Sequence, residues 1–235
     1  MSSVLETVEW GKASVRFLNT TFKQIRKEKP AIVYLRHSKA DYTNIESPKD
    51  GVLMEQGIQT SKELGTKLPS DLKYRIFHSR YPRARITAEQ IHQGLISQKA
   101  ESRIIGVQEG LIFENRHDPI IKKFIDIYSS DFVTHWISGR FDEHELPPSL
   151  ELAKNLAKKV VMNLKYTEPG SIDLYVNHDL TIIRMMFHWF GVYKKYRWVG
   201  YLDGFILQLF DDYMVYFDKD GEHKVDYPYW WNFRP

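Results

Sequence analysis

The chain has 235 residues, 43% hydrophobic and 27% charged, with a net charge of +3. That balance is ordinary for a soluble globular protein and gives no bulk drive toward nucleic acid. The absence of cysteine excludes disulfides, thiolate metal sites and cysteine nucleophiles together. The longest apolar stretch, residues 180–190, is interrupted by Arg184 and His188 and is too short to span a bilayer. The first residues lack a cationic segment followed by an apolar core, so no secretory leader or membrane contact is expected, and a cytoplasmic location is.

In chain order, Val4, Val8, Val15, Leu18, Phe22 and Ile25 fall mostly at three- and four-residue steps. This predicts a helix over 3–28 that precedes the core fold and is stopped by Pro30. The basic run 23–29 reads as its solvated end. Residues 32–38, Ile-Val-Tyr-Leu-Arg-His-Ser, form an apolar run of β-formers that ends abruptly in Arg36 and His37. A helix is expected over 55–68, ended by Pro69. A strand over 74–79 follows, then a helix over 82–97 that opens with Pro82. Residues 104–107 read as a short strand. Helices are expected over 119–138 and 149–165, separated by a loop with Pro147 and Pro148. This pair interrupts the strand–helix alternation and reads as an insertion over the site. A strand over 172–179 leads into an apolar helix. The runs 205–210 and 213–217, joined by Asp211-Asp212, predict a hairpin. The tail 227–235 holds five aromatics and is expected to pack as a strap, because so much exposed apolar surface would be a liability.

The expected architecture is therefore one α/β domain over 1–235. It has three layers, helices on both faces of a mostly parallel sheet. A helical extension occupies 1–30, a cap about 110–165 and the aromatic tail 227–235. Three strand-like runs end in polar residues that include histidine: Arg36-His37, His78-Ser79 and Asn177-His178-Asp179. In an open parallel sheet such ends lie at one edge, where ligands bind. Arginine grips an anion through paired donors. Two or three arginines and two histidines with little acid among them suit a phosphoryl group.

The motifs resemble the histidine phosphatase superfamily, the phosphoglycerate-mutase-like fold, as a small phosphatase-type member. The matching pieces are Arg36-His37, then residues 50–57 (Asp-Gly-Val-Leu-Met-Glu-Gln-Gly), then Ser79-x-x-x-Arg83-Ala84-x-x-Thr87-Ala88, then Val176-Asn177-His178-Asp179. They stand in the family's order over roughly residues 31–210, each at a strand-to-helix switch. The resemblance implies a phosphohistidine formed on His37, with Arg36, Arg83, His178 and the Asn177 amide holding the phosphoryl oxygens. It implies no cofactor and no metal. Expected partners are a small phosphorylated substrate or phosphopeptide and a possible second copy as a homodimer, with neither nucleic acid nor membrane. His78 reads as pocket wall or core.

A poor leaving group needs a proton donor. Glu109, in Gly106-Val107-Gln108-Glu109, matches the place of a family acid after the third strand. Asp179 resembles the His-Asp acid of the acid-phosphatase branch and is also a plausible helix N-cap. Glu114 is a more distant third. The mutases' Arg-His-Tyr-Gly tract has only Asn115-Arg116-His117-Asp118 as a poor counterpart, so hydrolysis is expected over phosphotransfer. The acidic run 141–145 in the insertion would disfavour highly phosphorylated substrates. The alternatives are a phosphoglycerate-mutase-type phosphotransferase, a non-catalytic phospho-ligand module, and a metal hydrolase using His37, His78 and His178. The last lacks paired-ligand spacing.

Overall fold

The computed structural model describes residues 3–43, 51–111, 118–128, 131–193 and 199–233. Glu114, the Asn115–Asp118 tract's first three residues and Asp50 of the second motif lie outside them.

The elements run as follows. Helices α1 (Val4–Thr7) and α2 (Gly11–Thr21), with a 3-10 turn over Phe22–Gln24, precede strand β1 (Ala31–Arg36). Two short strands, β2 (Ala40–Asp41) and β3 (Val52–Leu53), pair with each other and lead to α3 (Glu55–Lys67). Next come β4 (Lys73–His78), α4 (Pro82–Ser97) and β5 (Ser102–Val107). The insertion contributes α5 (Asp118–Tyr128), α6 (Phe132–Ile137) and α7 (Ser149–Leu164). The chain closes with β6 (Ser171–Asn177), α8 (Asp179–Phe190), β7 (Gly204–Leu209), β8 (Tyr213–Asp218) and β9 (Gly221–Asp226).

Seven strands form one sheet in the order β5-β4-β6-β1-β7-β8-β9. The first four are mutually parallel, and β7, β8 and β9 add antiparallel at the other side. β6 is buried along its whole length, as a strand covered on both faces must be. One apolar layer gathers Phe17, Leu18, Leu64, Ile91 and Leu95 of α2, α3 and α4 against Val33, Ile76 and Leu174. The other gathers Trp136, Leu156, Val160 and Trp189 of α6, α7 and α8 against Tyr34, Phe77 and Tyr175. The α3–α4 contact requires glycine. A Cβ on Gly65 would come within 2.2 Å of the Ile91 carbonyl, and one on Gly94 within 2.2 Å of the Lys62 carbonyl.

Two expected helices are broken. The first stops at Val8, which is extended (ψ 138), and restarts at Gly11, packed so tightly that a Cβ would fall 1.9 Å from the Leu5 carbonyl. The expected helix over 119–138 is two, α5 and α6. The expected basic helix end, 23–29, lies instead largely beyond the last helical turn, with Arg26 paired to Glu222 and Lys27 to Asp71. The hairpin over 205–217 gains a further partner in β9, which the sequence reading missed. Its residues alternate between half-buried and exposed, as befits a polar edge strand. In the tail, Trp231 is buried against Trp189, with ring centroids 5.2 Å apart, while Tyr229 stands in solvent.

Candidate active site

The parallel register aligns the three strand ends. Arg36 lies opposite Asn177, and His78 opposite Val176. Beyond the strands the ladder continues, since His37 N–H donates to the Asn177 carbonyl at 2.9 Å and Ser79 N–H to the Val176 carbonyl at 3.0 Å. His37, Ser79 and His178 are thereby carried to one edge, and Pro82 opens α4 so that Arg83 in its first turn points back at them.

The contacts fix the state of the nucleophile candidate. His37 Nδ1 lies 2.7 Å from the Ser38 carbonyl, which can only accept. Arg83 Nε lies 3.1 Å from His37 Nε2 and can only donate. Nδ1 therefore carries the proton and Nε2 presents its lone pair. Burial, then the charge of Arg83, holds the His37 pKa well below the usual histidine value, with Arg36 acting the same way. His178 is arranged in reverse. Its Nε2 lies 2.8 Å from Ser79 Oγ, and its Nδ1 lies 3.4 Å from Arg83 Nη2. Burial, then His37, Arg83 and Arg36, hold its pKa well below the usual histidine value too. The two imidazole rings are 5.1 Å apart, so both are neutral near pH 7 and lie against Arg83.

Arg36 donates from Nη1 to the Val199 carbonyl at 2.7 Å and pairs through Nη2 with Asp179 at 2.9 Å. Its buried Nε–H finds no partner among the described residues. A buried donor without an acceptor costs free energy unless a ligand supplies one. Burial lowers the pKa of Arg83 from its usual value, and its guanidinium stacks near the rings of Tyr81 (4.7 Å) and Tyr42 (5.6 Å). The site is thus a largely buried cationic pocket in which two imidazole lone pairs, His37 Nε2 and His178 Nδ1, face the Arg83 guanidinium.

The other expected residues divide. Asp179 is the first residue of α8, not its N-cap, which is His178. Its Oδ1 accepts the Leu180 N–H at 2.8 Å while Oδ2 holds Arg36. Glu109 follows β5 and pairs with Arg80 at 2.7 Å, its side chain 60% exposed. Arg80 is the residue after Ser79, so this pair sits at the rim of the pocket. Asn177 is buried and meets His37 through its backbone; its amide nitrogen faces the Tyr175 carbonyl at 3.5 Å and its Oδ1 has no partner among the described residues. His78 is buried, with Nδ1 2.8 Å from the Ser79 carbonyl. Among the described residues no group of three or more His, Asp or Glu is placed to hold a metal ion, and no helix is long and apolar enough to cross a membrane.

The sequence reading missed three tyrosines. Tyr42 and Tyr81 flank Arg83, and the Tyr201 ring lies 4.4 Å from the Arg36 guanidinium. The only local signal for Tyr201 is its place in Gly200-Tyr201-Leu202-Asp203-Gly204, a glycine-bracketed turn before β7.

Many solved structures share this fold. No curated protein matches the chain. Among solved structures, the phosphoserine phosphatase of Entamoeba histolytica, in complex with 3-phosphoglyceric acid, superposes with a TM-score of 0.56 at 19% identity, over 88% of this chain and 97% of that one. A phosphoglycerate mutase of Bacillus anthracis gives 0.51 at 14% identity, over 86% and 94%. The mycobacterial glucosyl-3-phosphoglycerate phosphatase gives 0.52 at 14%, over 84% and 97%. At such identities these likenesses speak to the fold alone. A model of the histidine phosphatase superfamily (branch 1) matches residues 32–202, which take in both histidines and both arginines of the pocket, and the chain belongs to that family.

Proposed function

We propose that the protein is a phosphomonoester hydrolase working through a phosphohistidine on His37, without a metal ion. The observation that carries this reading is the pair of contacts on the His37 ring. Nδ1–H is tied to the Ser38 carbonyl and Nε2 accepts from Arg83, so the ring is oriented, neutral and has its lone pair in the cationic pocket. A neutral imidazole needs no separate base to attack phosphorus.

In the reaction, Nε2 forms the N–P bond while the bond from phosphorus to the leaving oxygen breaks. The Nε–H of Arg36 and the Arg83 guanidinium, which exchanges its donor from Nε2 to the substrate, meet the phosphoryl oxygens. Burial, then His37, Arg83 and Arg36, keep His178 neutral before substrate binds; an incoming phosphate monoanion hands its own proton to Nδ1, which becomes a third donor, and inorganic phosphate takes that proton back on leaving. Glu109 gives a proton to the leaving oxygen. Asp179 is engaged as the counter-ion of Arg36 and acts as a positioning residue. Water then attacks phosphorus while the Glu109 carboxylate takes its proton, which restores the acid; the N–P bond breaks, and inorganic phosphate leaves with Nε2 free again. The substrate is a phosphate monoester, on a small molecule or a peptide. Hydrolysis is favoured over mutase chemistry because the sequence has no clean counterpart of the mutases' Arg-His-Tyr-Gly tract.

The test is turnover of nitrophenyl phosphate in excess chelator. Hydrolysis that persists there supports the reading. Hydrolysis that collapses with the chelator and returns with a divalent metal would overturn the metal-free mechanism, and tungstate binding without any turnover would leave a binding module.

A further inference from the structure

The N-terminal helices lie outside the segment matched by the family model, yet two side chains of α2 and its start reach toward the catalytic arginine. Ser14, fully buried, donates its hydroxyl to the Tyr201 carbonyl at 3.1 Å. Trp10, the residue before α2, sets its ring edge-on to the Tyr201 ring at 5.9 Å. The Tyr201 ring lies in turn 4.4 Å from the Arg36 guanidinium and 5.9 Å from the His37 ring.

The loop that bears Tyr201 is wrapped around Arg36. Val199 accepts from its guanidinium, Leu202 N–H donates to its carbonyl at 3.2 Å, and the Asp203 carbonyl accepts its N–H at 2.9 Å. Within this loop Leu202 is buried with φ +52. A non-glycine residue adopts that conformation at a cost and keeps it only where the surroundings over-determine it. The loop therefore depends on what is packed outside it, and α2 is what is packed there.

We propose that the N-terminal extension is a brace for the active site: Trp10 and Ser14 position Tyr201, whose ring face holds the Arg36 guanidinium where its Nε–H, without a partner among the described residues, meets a phosphoryl oxygen. The proposal rests on the phosphatase reading of the pocket. Arginine has many rotamers, and a donor aimed in advance stabilises developing charge better than one that must be ordered at each turnover. Three restraints fix this guanidinium: the Val199 carbonyl, the Asp179 carboxylate and the Tyr201 ring. Two of the three belong to the braced loop. Phe17 and Leu18 of α2 enter the core beneath α3 and α4, and Trp10 packs half-buried against the same core, so Leu18→Ala serves as the control that separates lost packing from a lost brace.

The experiment measures kcat on nitrophenyl phosphate, the inhibition constant of tungstate, and the melting temperature for Trp10→Ala, Ser14→Ala, Tyr201→Leu, Tyr201→Phe and Leu18→Ala. Trp10→Ala and Ser14→Ala should each lower kcat about three- to tenfold and raise the tungstate constant by a similar factor, the scale of one cation–π restraint. Tyr201→Leu should exceed either, and Tyr201→Phe, which keeps the ring face, should recover most of the loss. Leu18→Ala should lower the melting temperature and leave the tungstate constant in place. Trp10→Ala and Tyr201→Leu that behave like Leu18→Ala, less stable but with kcat per folded molecule and tungstate affinity intact, would overturn the brace. Should Trp10→Ala fail to fold, the Leu and Phe variants at Tyr201 decide the matter. An unmutated protein that binds tungstate without turnover defeats the hydrolase reading alone, because the brace is still read from tungstate affinity. One that does neither defeats both.

Discussion

Arg36, His37, Arg83 and His178 form the floor of the pocket, and Asp179 and Glu109 form its rim. His37, Arg83 and His178 are 2, 6 and 8% exposed, whereas the side chains of Asp179 and Glu109 are 25 and 60% exposed. On the floor, burial first and neighbouring positive charge second favour neutral histidines, and Arg83 reaches both rings. At the rim, Glu109 faces solvent and Asp179 is part-buried, and each is paired with an arginine of its own. The contrast separates two tasks. Charge stabilisation needs a dry, fixed cationic surface, because donors are worth more where water is excluded. Proton delivery to a departing oxygen needs a group that reaches the mouth of the site and exchanges its proton with water between turnovers.

Changes on the floor should be damaging whatever the leaving group. Arg83→Lys should lower kcat about 10- to 100-fold, because an ammonium cannot reproduce the fork that touches His37, His178 and the phosphoryl group together. The structure of that variant with tungstate would sharpen the point. Arg83 turned to solvent in the unmutated complex would break the assignment.

At the rim the expected losses depend on the leaving group. Glu109→Gln should lower hydrolysis of an alkyl phosphate about 100-fold but that of nitrophenyl phosphate by about fivefold or less, since a nitrophenolate departs without help. Asp179→Asn should cost about three- to tenfold on both substrates, as expected for a part-buried counter-ion that orients Arg36. If the steep dependence appears at Asp179 and not at Glu109, the two rim residues exchange roles, and the chain works in the manner of a His-Asp acid phosphatase.

A smaller effect follows from the pKa values of the floor. His37 and His178 have values depressed well below the usual 6.5, and His188 is lowered to about 4 by burial and then by Arg184. As pH falls below about 6.5 the unfolded chain binds protons that the native chain refuses, so ΔG of unfolding must fall. Each such histidine contributes a slope of about 1.4 kcal/mol per pH unit in that window. Denaturant titrations between pH 7 and 5 should show this loss, and His178→Gln should remove one histidine's share. A stability that is flat or rises over that window would mean the floor histidines are not held neutral.

Much of the floor was legible in the sequence because its residues sit at the ends of buried strands. The run from Ile32 to Leu35 is continuously apolar, so the switch to Arg36 and His37 marks the strand's end without ambiguity. The helix α4 was read with correct bounds, since Pro82 can only start it and Lys99, at φ 65, follows its end. The strand β9 was not legible. Glu222, Lys224 and Asp226 alternate with residues that are only half-buried, so an edge strand here has the composition of a loop. The long helical readings over 3–28 and 119–138 erred for a related reason. Apolar spacing continues across a break when the helices on either side pack on the same core. The tyrosines around the arginines were out of reach for a third reason. Tyr42, Tyr81 and Tyr201 arrive from separate loops, and only the registers of β4 on β6, β6 on β1 and β1 on β7 determine which loops meet.

The central claim is that phosphate passes through the His37 ring. Its most direct measurement is to mix the protein with a labelled phosphate monoester, denature within the first turnovers and map the label by mass spectrometry. The account predicts one phosphoryl group on His37, stable in alkali, lost in mild acid, and absent from a folded His37→Ala variant that no longer turns over. Label on a serine or threonine, or undiminished turnover by His37→Ala, would contradict it.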